Sequence, residues 1–222
     1  MNSLARRVVL LALAALPALA HAERYRVDLI VFLDRNSASG EAPQAAAAPD
    51  LAKALEPLDT ARLRDAGIEL VPDESFGLDS EWKKLRNSRR LEALLRLAWI
   101  QKDPPNDKGP ALHLRWGAPL ALNNASGSAL MYPVDGTVSL LLGRYLHLDT
   151  ELAYTQPNPD GTLASYWLTE KRRMKRDELH HLDSPRLGVL ARVEKADKPE
   201  KPKPAPPAPA KPKKKAPPRK TP

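Results

Sequence analysis

The chain has 222 residues, a formal net charge of +8 and no cysteine, so disulfides, thiolate catalysis and cysteine-ligated metal are excluded. The charge is uneven: with +2 from Arg6 and Arg7 and +8 from Lys195–Pro222, the stretch Glu23–Glu194 is left at −2. The basic balance therefore belongs to the two ends and gives the middle of the chain no nucleic-acid-binding character.

Met1–Ala22 reads as a secretory signal peptide. Arg6 and Arg7 supply the positive end, Val8–Leu19 the apolar core, and Ala20-His21-Ala22 a small-x-small cleavage site. The apolar core is too short for a comfortable membrane span, and Pro17 weakens it further. The organisation expected is signal peptide 1–22, one α+β domain 23–194, and a disordered Lys/Pro/Ala-rich basic tail 195–222, with no transmembrane segment after cleavage. A domain of about 170 residues is large enough to bury a continuous core.

Within the domain, Tyr25–Leu33 is a strand with apolar residues on both faces, as a central, covered strand requires. Asn36–Pro49 breaks all periodicity and reads as a loop. Asp50–Glu56 suits a short helix. Asp59 or Thr60 caps another, with Leu63 and Ala66 inward and Gly67 ending it. Ser80–Ile100 is the strongest helix by pattern, since Trp82, Leu85, Leu91, Leu94, Leu95 and Ala98 form a stripe at helical spacing. Trp99 reads as packing rather than ligand contact.

Leu112, Leu114 and Trp116 alternate as a short strand, and Asn123, Asn124 and Gly127 signal turns. Val138–Tyr154 then alternates over its whole length, with Arg144 falling in the apolar register and Gly143 placed for a bend. Pro157–Gly161 is a turn, and Leu163–Met174 and Leu187–Val193 are further strands. The fold class expected is α+β: mainly antiparallel sheet packed by one long and one or two short helices.

No Gly-x-Ser-x-Gly elbow and no glycine-rich phosphate loop occurs. His147 with Asp149, and His180 and His181 with Asp183, do not make a specific zinc signature. No catalytic residue, metal or cofactor is therefore assigned. The functional candidates are polar residues set in apolar strand patterns: Arg144, Tyr145, His147, Arg172, Arg173, His180, His181 and Asp183, with Glu170 beside them. Arginine pairs bidentately with carboxylates, tyrosine stacks on a sugar face, and histidine and acids orient amides and hydroxyls. The same residues also suit an internal polar network that fixes the sheet and the turn after Asp183.

Four blocks carry a resemblance: "YRVDLIVF" at Tyr25–Phe32, "AWIQ" at Ala98–Gln101, "RYLHLD" at Arg144–Asp149 and "EKRRMKRDELHHLDSPRLGVL" at Glu170–Leu190. Together they resemble the CsiV family of exported peptidoglycan-binding proteins of Gram-negative bacteria. His181 stands where the family pattern favours tyrosine, and Ser184 where histidine is more usual. The resemblance implies a periplasmic, non-catalytic peptidoglycan binder that is accessory to cell-wall assembly and cell shape. The partners it implies are peptidoglycan and a periplasmic cell-wall synthase or its activator, with no nucleic acid. A wall-modifying enzyme with an unrecognised site, and a scaffold for a wall synthase, stay open as alternatives.

Overall fold

A computed structural model describes residues 23–36, 44–124 and 127–196; the signal-peptide segment and all but the first two tail residues lie outside the described residues. The strands are β1 (Arg24–Asp34), β2 (Gln44–Ala45), β3 (Ala54–Leu55), β4 (Ile68–Leu70), β5 (Leu91–Lys102), β6 (Ala111–Trp116), β7 (Leu120–Asn124), β8 (Gly127–Met131), β9 (Val134–Leu142), β10 (Leu146–Pro157), β11 (Leu163–Met174), β12 (Leu179–Asp183) and β13 (Leu187–Lys195). Helix α1 (Thr60–Asp65) precedes β4, and helix α2 (Asp79–Arg86) precedes β5. One sheet runs β12-β13-β1-β5-β4, a second runs β2-β11-β10-β9-β6-β3, and β7-β8 forms a separate hairpin. All pairings are antiparallel except β3 with β6. The α+β class read from the sequence is the one observed. Among the described residues no helix is long and apolar enough to cross a membrane.

The core follows from the alternation of β1. Tyr25, Val27, Leu29, Val31 and Leu33 point into the space between the sheets, where they meet Leu140, Leu148 and Leu152 from the second sheet. Ile30 and Phe32 point the other way, onto Phe76, Leu78 and Leu85 of the segment that ends in α2. Sheet one thus has a covered face on each side, which is why β1 is apolar throughout. Each fully buried Leu or Val here contributes about 1.5–3 kcal/mol. Gln101 is also buried, and its Nε2 donates to the Leu140 carbonyl at 3.3 Å, tying β5 to the opposite sheet.

A carboxylate sits on the helix-covered face. Asp28 is fully buried. It accepts two hydrogen bonds from the Arg26 guanidinium, both at 2.9 Å, and one from the Gly77 amide at 2.7 Å. Arg192, its partner in the β1–β13 register, donates to the Gly77 carbonyl at 3.1 Å. A Cβ on Gly77 would lie 2.6 Å from Arg192 Nη2 and 2.7 Å from Asp28 Oδ2, so only glycine lets the backbone come this close. Arg26 also donates to the Ser75 carbonyl. Beside this network, Arg96 of β5 lies 4.9 Å from the Phe76 ring and 5.3 Å from the Trp82 ring, and pairs with Asp73 and Asp79. These contacts fix where α2 lands.

Several sequence expectations are corrected. The helix expected over Ser80–Ile100 ends at Arg86, and Leu91–Lys102 is strand β5, paired with β1 along its whole length. Ser88 Oγ accepts from the Arg90 and Leu91 amides and turns the chain between the two. The helical spacing of leucines comes from a bulge. The β1–β5 register shifts at Val31/Phe32, so Leu94 and Leu95 both pack against the inter-sheet core although they are adjacent. Trp99 is 1% exposed and packs between the sheets from a strand rather than a helix end.

Asp50–Glu56 is not helical; Ala54–Leu55 is the two-residue strand β3. The long run Val138–Tyr154 is two strands joined by Gly143-Arg144-Tyr145. Pairing of Leu142 with Leu146 leaves three residues in the connection, which preserves parity, so the alternation runs on unbroken through a reversal. Arg144 is therefore not in a core-facing register; it is exposed at the hairpin tip. Leu179–Asp183, given no element from the sequence, is the edge strand β12. The short helix α1 is as expected: Asp59 caps it by accepting from the Arg62 amide at 3.1 Å, Leu63 is buried, and Gly67 follows at φ 71°.

The Asp28 network predicts a measurable coupling. Asp28→Ala removes the buried carboxylate that the part-buried Arg26 and Arg192 guanidiniums share and is expected to cost about 3 kcal/mol in urea unfolding. Gly77→Ala pushes apart the same atoms. The double variant should therefore cost clearly less than the two single costs added together; strict additivity would show that the two positions do not share one contact.

Candidate functional site

The outward face of the second sheet is built by the residues of opposite parity to its core. Leu148, Thr150 and Leu152 point inward, so His147, Asp149 and Glu151 of β10 point outward. On β11 the register puts Arg173 beside His147, Lys171 beside Asp149 and Thr169 beside Glu151. The loop after β5 lies against this face. Leu142 donates to the Pro105 carbonyl at 2.7 Å, and Asp107 reaches Lys171 at 3.8 Å.

The β9–β10 hairpin lifts Tyr145 to the end of this face, where it is 38% exposed. The Arg173 guanidinium carbon lies 3.4 Å from the centroid of the Tyr145 ring, and that of Arg144 lies 5.4 Å away. His147 Nδ1 is 3.1 Å from the Tyr145 carbonyl, which ties the tip to the strand. Among the described residues neither arginine has a carboxylate partner. Stacking occupies the flat face of a guanidinium and leaves its N–H donors in the plane, where they can take a carboxylate in the two-pronged geometry.

The eight candidates divide into three places. Arg144, Tyr145, His147 and Arg173 come together at this tip. Arg172 and His180 lie at the link between β11 and β12. Arg172 Nε is 2.6 Å from Glu170 Oε1, and Nη2 reaches the His181 carbonyl at 3.5 Å. His180 Nε2 accepts from the Lys175 amide at 3.0 Å and so closes the turn. His181 and Asp183 point to the helix-covered face of the first sheet, where His181 stacks on Phe32 at 5.6 Å.

A cluster that the sequence reading passed over lies elsewhere on the second sheet. His113 of β6 is 3% exposed. Its Nδ1 is 2.5 Å from Glu56 Oε1 and its Nε2 is 2.6 Å from Asp135 Oδ1. The signal was a histidine alternating with Leu112 and Leu114, which ranks as solvent-facing until β3 and the Glu56 side chain are laid over it. The arrangement is acid–imidazole–acid, but it is not a general base. A base needs one ring nitrogen free to take a proton from substrate, and here a carboxylate faces each nitrogen. The Asp135 hydrogen bond is the largest influence holding the His113 pKa above its ordinary value; burial opposes it, and Glu56 adds to it. The His113 ring clips Glu56, and with it β3, to the sheet. Among the described residues no group of three or more His, Asp or Glu side chains is placed to hold a metal ion.

A family model described as "Peptidoglycan-binding protein, CsiV" matches residues 4–196. No curated protein and no solved structure matches the chain.

The His113 clip has a pH signature. A histidine whose folded pKa is raised contributes stability that is fully present below its unfolded value of about 6.5 and is lost as pH rises through the folded value. The gap in melting temperature between the natural protein and His113→Gln is therefore expected to be wide at mildly acidic pH and to narrow on the alkaline side. A gap that stays constant across that range would mean that the imidazole acts only by filling space.

Proposed function

Since the chain belongs to the CsiV family of peptidoglycan-binding proteins, we propose that it is a non-catalytic, periplasmic binder of the wall polymer, accessory to cell-wall assembly and to the maintenance of cell shape. The observation that carries the reading is the Tyr145 tip, with two guanidiniums against one phenol ring and no carboxylate to neutralise them among the described residues. Peptidoglycan supplies both complements. Its stem peptides end in carboxylates, which suit Arg173 and Arg144, and its sugar rings offer flat C–H faces, which suit Tyr145. His147 stands next to them with one ring nitrogen at the Tyr145 carbonyl and the other available to a hydroxyl or amide.

The signal-like segment Met1–Ala22 supports the periplasmic setting. In this setting the protein partner is a wall synthase or its activator. The Lys/Pro/Ala-rich segment adds a second, weaker contact: its lysines meet anionic envelope material through exposed, salt-screened charge. Lys195 itself is the last residue of β13, and its Nζ lies 3.3 Å from Glu23 Oε1.

Arg173→Ala is expected to reduce co-sedimentation with purified sacculi about fivefold, the scale of one solvent-exposed charged contact, while leaving the unfolding transition in place. Sacculi retained equally by the variant and the natural protein would remove the Tyr145 tip from the reading. Sacculi that release new muropeptides on incubation with the natural protein, at yields that require turnover, would replace the binder with an enzyme.

Removal of the residues after Ala196 is expected to leave thermal unfolding unchanged and to weaken sacculus retention at low salt. The difference should disappear as salt rises, because the Debye length falls from roughly 10 Å at 0.1 M to roughly 3 Å at 1 M. Retention that does not change with truncation at any salt concentration would remove the tail from the binding surface.

A further inference from the structure

The outward face of the second sheet is only partly covered. Leu168 of β11 belongs to the core between the sheets, so Trp167 and Thr169 on either side of it point outward. Ala153, across from Trp167, and the next outward pair, Thr155 and Ser165, are buried. Toward the Tyr145 tip the face opens: Glu151 and Thr169, which face each other across β10–β11, are both exposed. Trp167 stands at this border and is half-buried. Its indole N–H has no hydrogen-bond partner among the described residues.

The groups around that indole select a ligand by type. Glu151 has no ion-pair partner among the described residues and offers two acceptor oxygens. Thr169 offers a hydroxyl that both donates and accepts, and the indole N–H donates. The next outward pair is Asp149 and Lys171, and Lys171 reaches Asp107 at 3.8 Å. Asp107, Asp149 and Glu151 against Lys171 leave this stretch without excess positive charge, so a phosphate or a carboxylate has no counter-charge here. A simple cation leaves the indole donor unused and meets Lys171. A sugar uses every group: its C–H face lies on the ring, and its hydroxyls give to Glu151 and take from the indole and Thr169.

We infer that Trp167, Glu151 and Thr169 form a stacking subsite for an uncharged glycan, and that its source is the N-acetylated sugar backbone of the wall polymer. The source rests on the wall-binding reading; the chemistry of the subsite does not. Arg173 lies on the same face of β11, six residues along from Trp167. At ~3.3 Å per residue that is about 20 Å. The separation exceeds one sugar ring, so a single strand can stack on Trp167 while a stem peptide that it carries brings a carboxylate to the Tyr145 tip. The subsite reads the backbone of the polymer, and the tip reads its side peptide.

The test uses a soluble probe without carboxylates, the N-acetylglucosamine tetramer chitotetraose, beside the same tetramer with free amines. Chitotetraose is expected to shift the Trp167 indole N–H resonance and the Glu151 and Thr169 backbone amide resonances saturably. Trp167→Ala should weaken it about tenfold, the upper scale of an aromatic contact, and Trp167→Phe should restore part of the loss. Glu151→Ala, at an exposed position, should weaken it about threefold, the scale of one hydrogen bond, with no change in unfolding. Binding of the amine form alone, shifts confined to other residues, or an unaffected Glu151→Ala variant overturns the inference.

A second arm uses purified sacculi. Glu151→Ala should lower retention, and excess chitotetraose should release part of the bound natural protein. If the tetramer does not bind and sacculi hold Glu151→Ala and the natural protein equally, the sugar subsite falls and the wall reading stands. If no form of the protein is retained on sacculi and the tetramer still occupies Trp167, the wall reading falls and the sugar subsite stands.

Discussion

One buried carboxylate organises this domain. Asp28 lies in the middle of the middle strand of the first sheet, and leaving it unpaired there would be costly. Two arginines and a backbone amide surround it. Arg26 is its neighbour on the same strand, and Arg192 lies across from it on the adjacent strand. The amide comes from Gly77, in the segment before α2, so satisfying the charge also docks that segment. With the segment in place, Phe76, Leu78 and Leu85 cover Ile30 and Phe32, and the second core closes. Without it the outward face of β1 would be an exposed apolar strip.

Much of the architecture is legible from residue patterns. The covered nature of β1, the cap and end of α1, the strand at Leu112–Trp116 and the extent of β11 are all set by local alternation or capping chemistry. The errors share a cause: a pattern can survive a change of structure. A three-residue hairpin loop keeps parity, so Val138–Tyr154 reads as one strand. A bulge puts two adjacent leucines on one side, so Leu91–Ala98 imitates a helix stripe, in residues whose intrinsic preference is also helical. Pairing with β1 along the length of β5 overrides that preference. No local pattern contains that information, because the partner strand is about seventy residues distant in sequence.

The candidate site was legible in kind and only partly in place. The sequence marks out arginine, tyrosine and histidine in apolar surroundings, but spacing alone cannot tell that Arg172 and Arg173 face opposite sides of a strand. Parity separates them. Arg173 joins Tyr145 on the outer face, and Arg172 turns inward to Glu170 and the His181 carbonyl. His180 and His181 separate in the same way: one closes a turn, and the other stacks on Phe32. His113 was passed over because its two carboxylate partners come from other elements, β9 and the residue after β3.

The register that pairs Tyr25 with Lys195 also sets how the domain bears load. Its first and last strands run antiparallel as immediate neighbours, and the Ala196 amide donates to the Arg24 carbonyl at 3.0 Å, so the chain enters and leaves the domain side by side. A pull applied between those two ends peels the β1–β13 ladder one rung at a time and never loads its rungs together. Tension transmitted through whatever lies beyond residue 196 therefore reaches the fold at its weakest mechanical direction. A wall-bound protein with this topology can hold its two ends to a common anchor, but it is poorly suited to serve as a taut link between them.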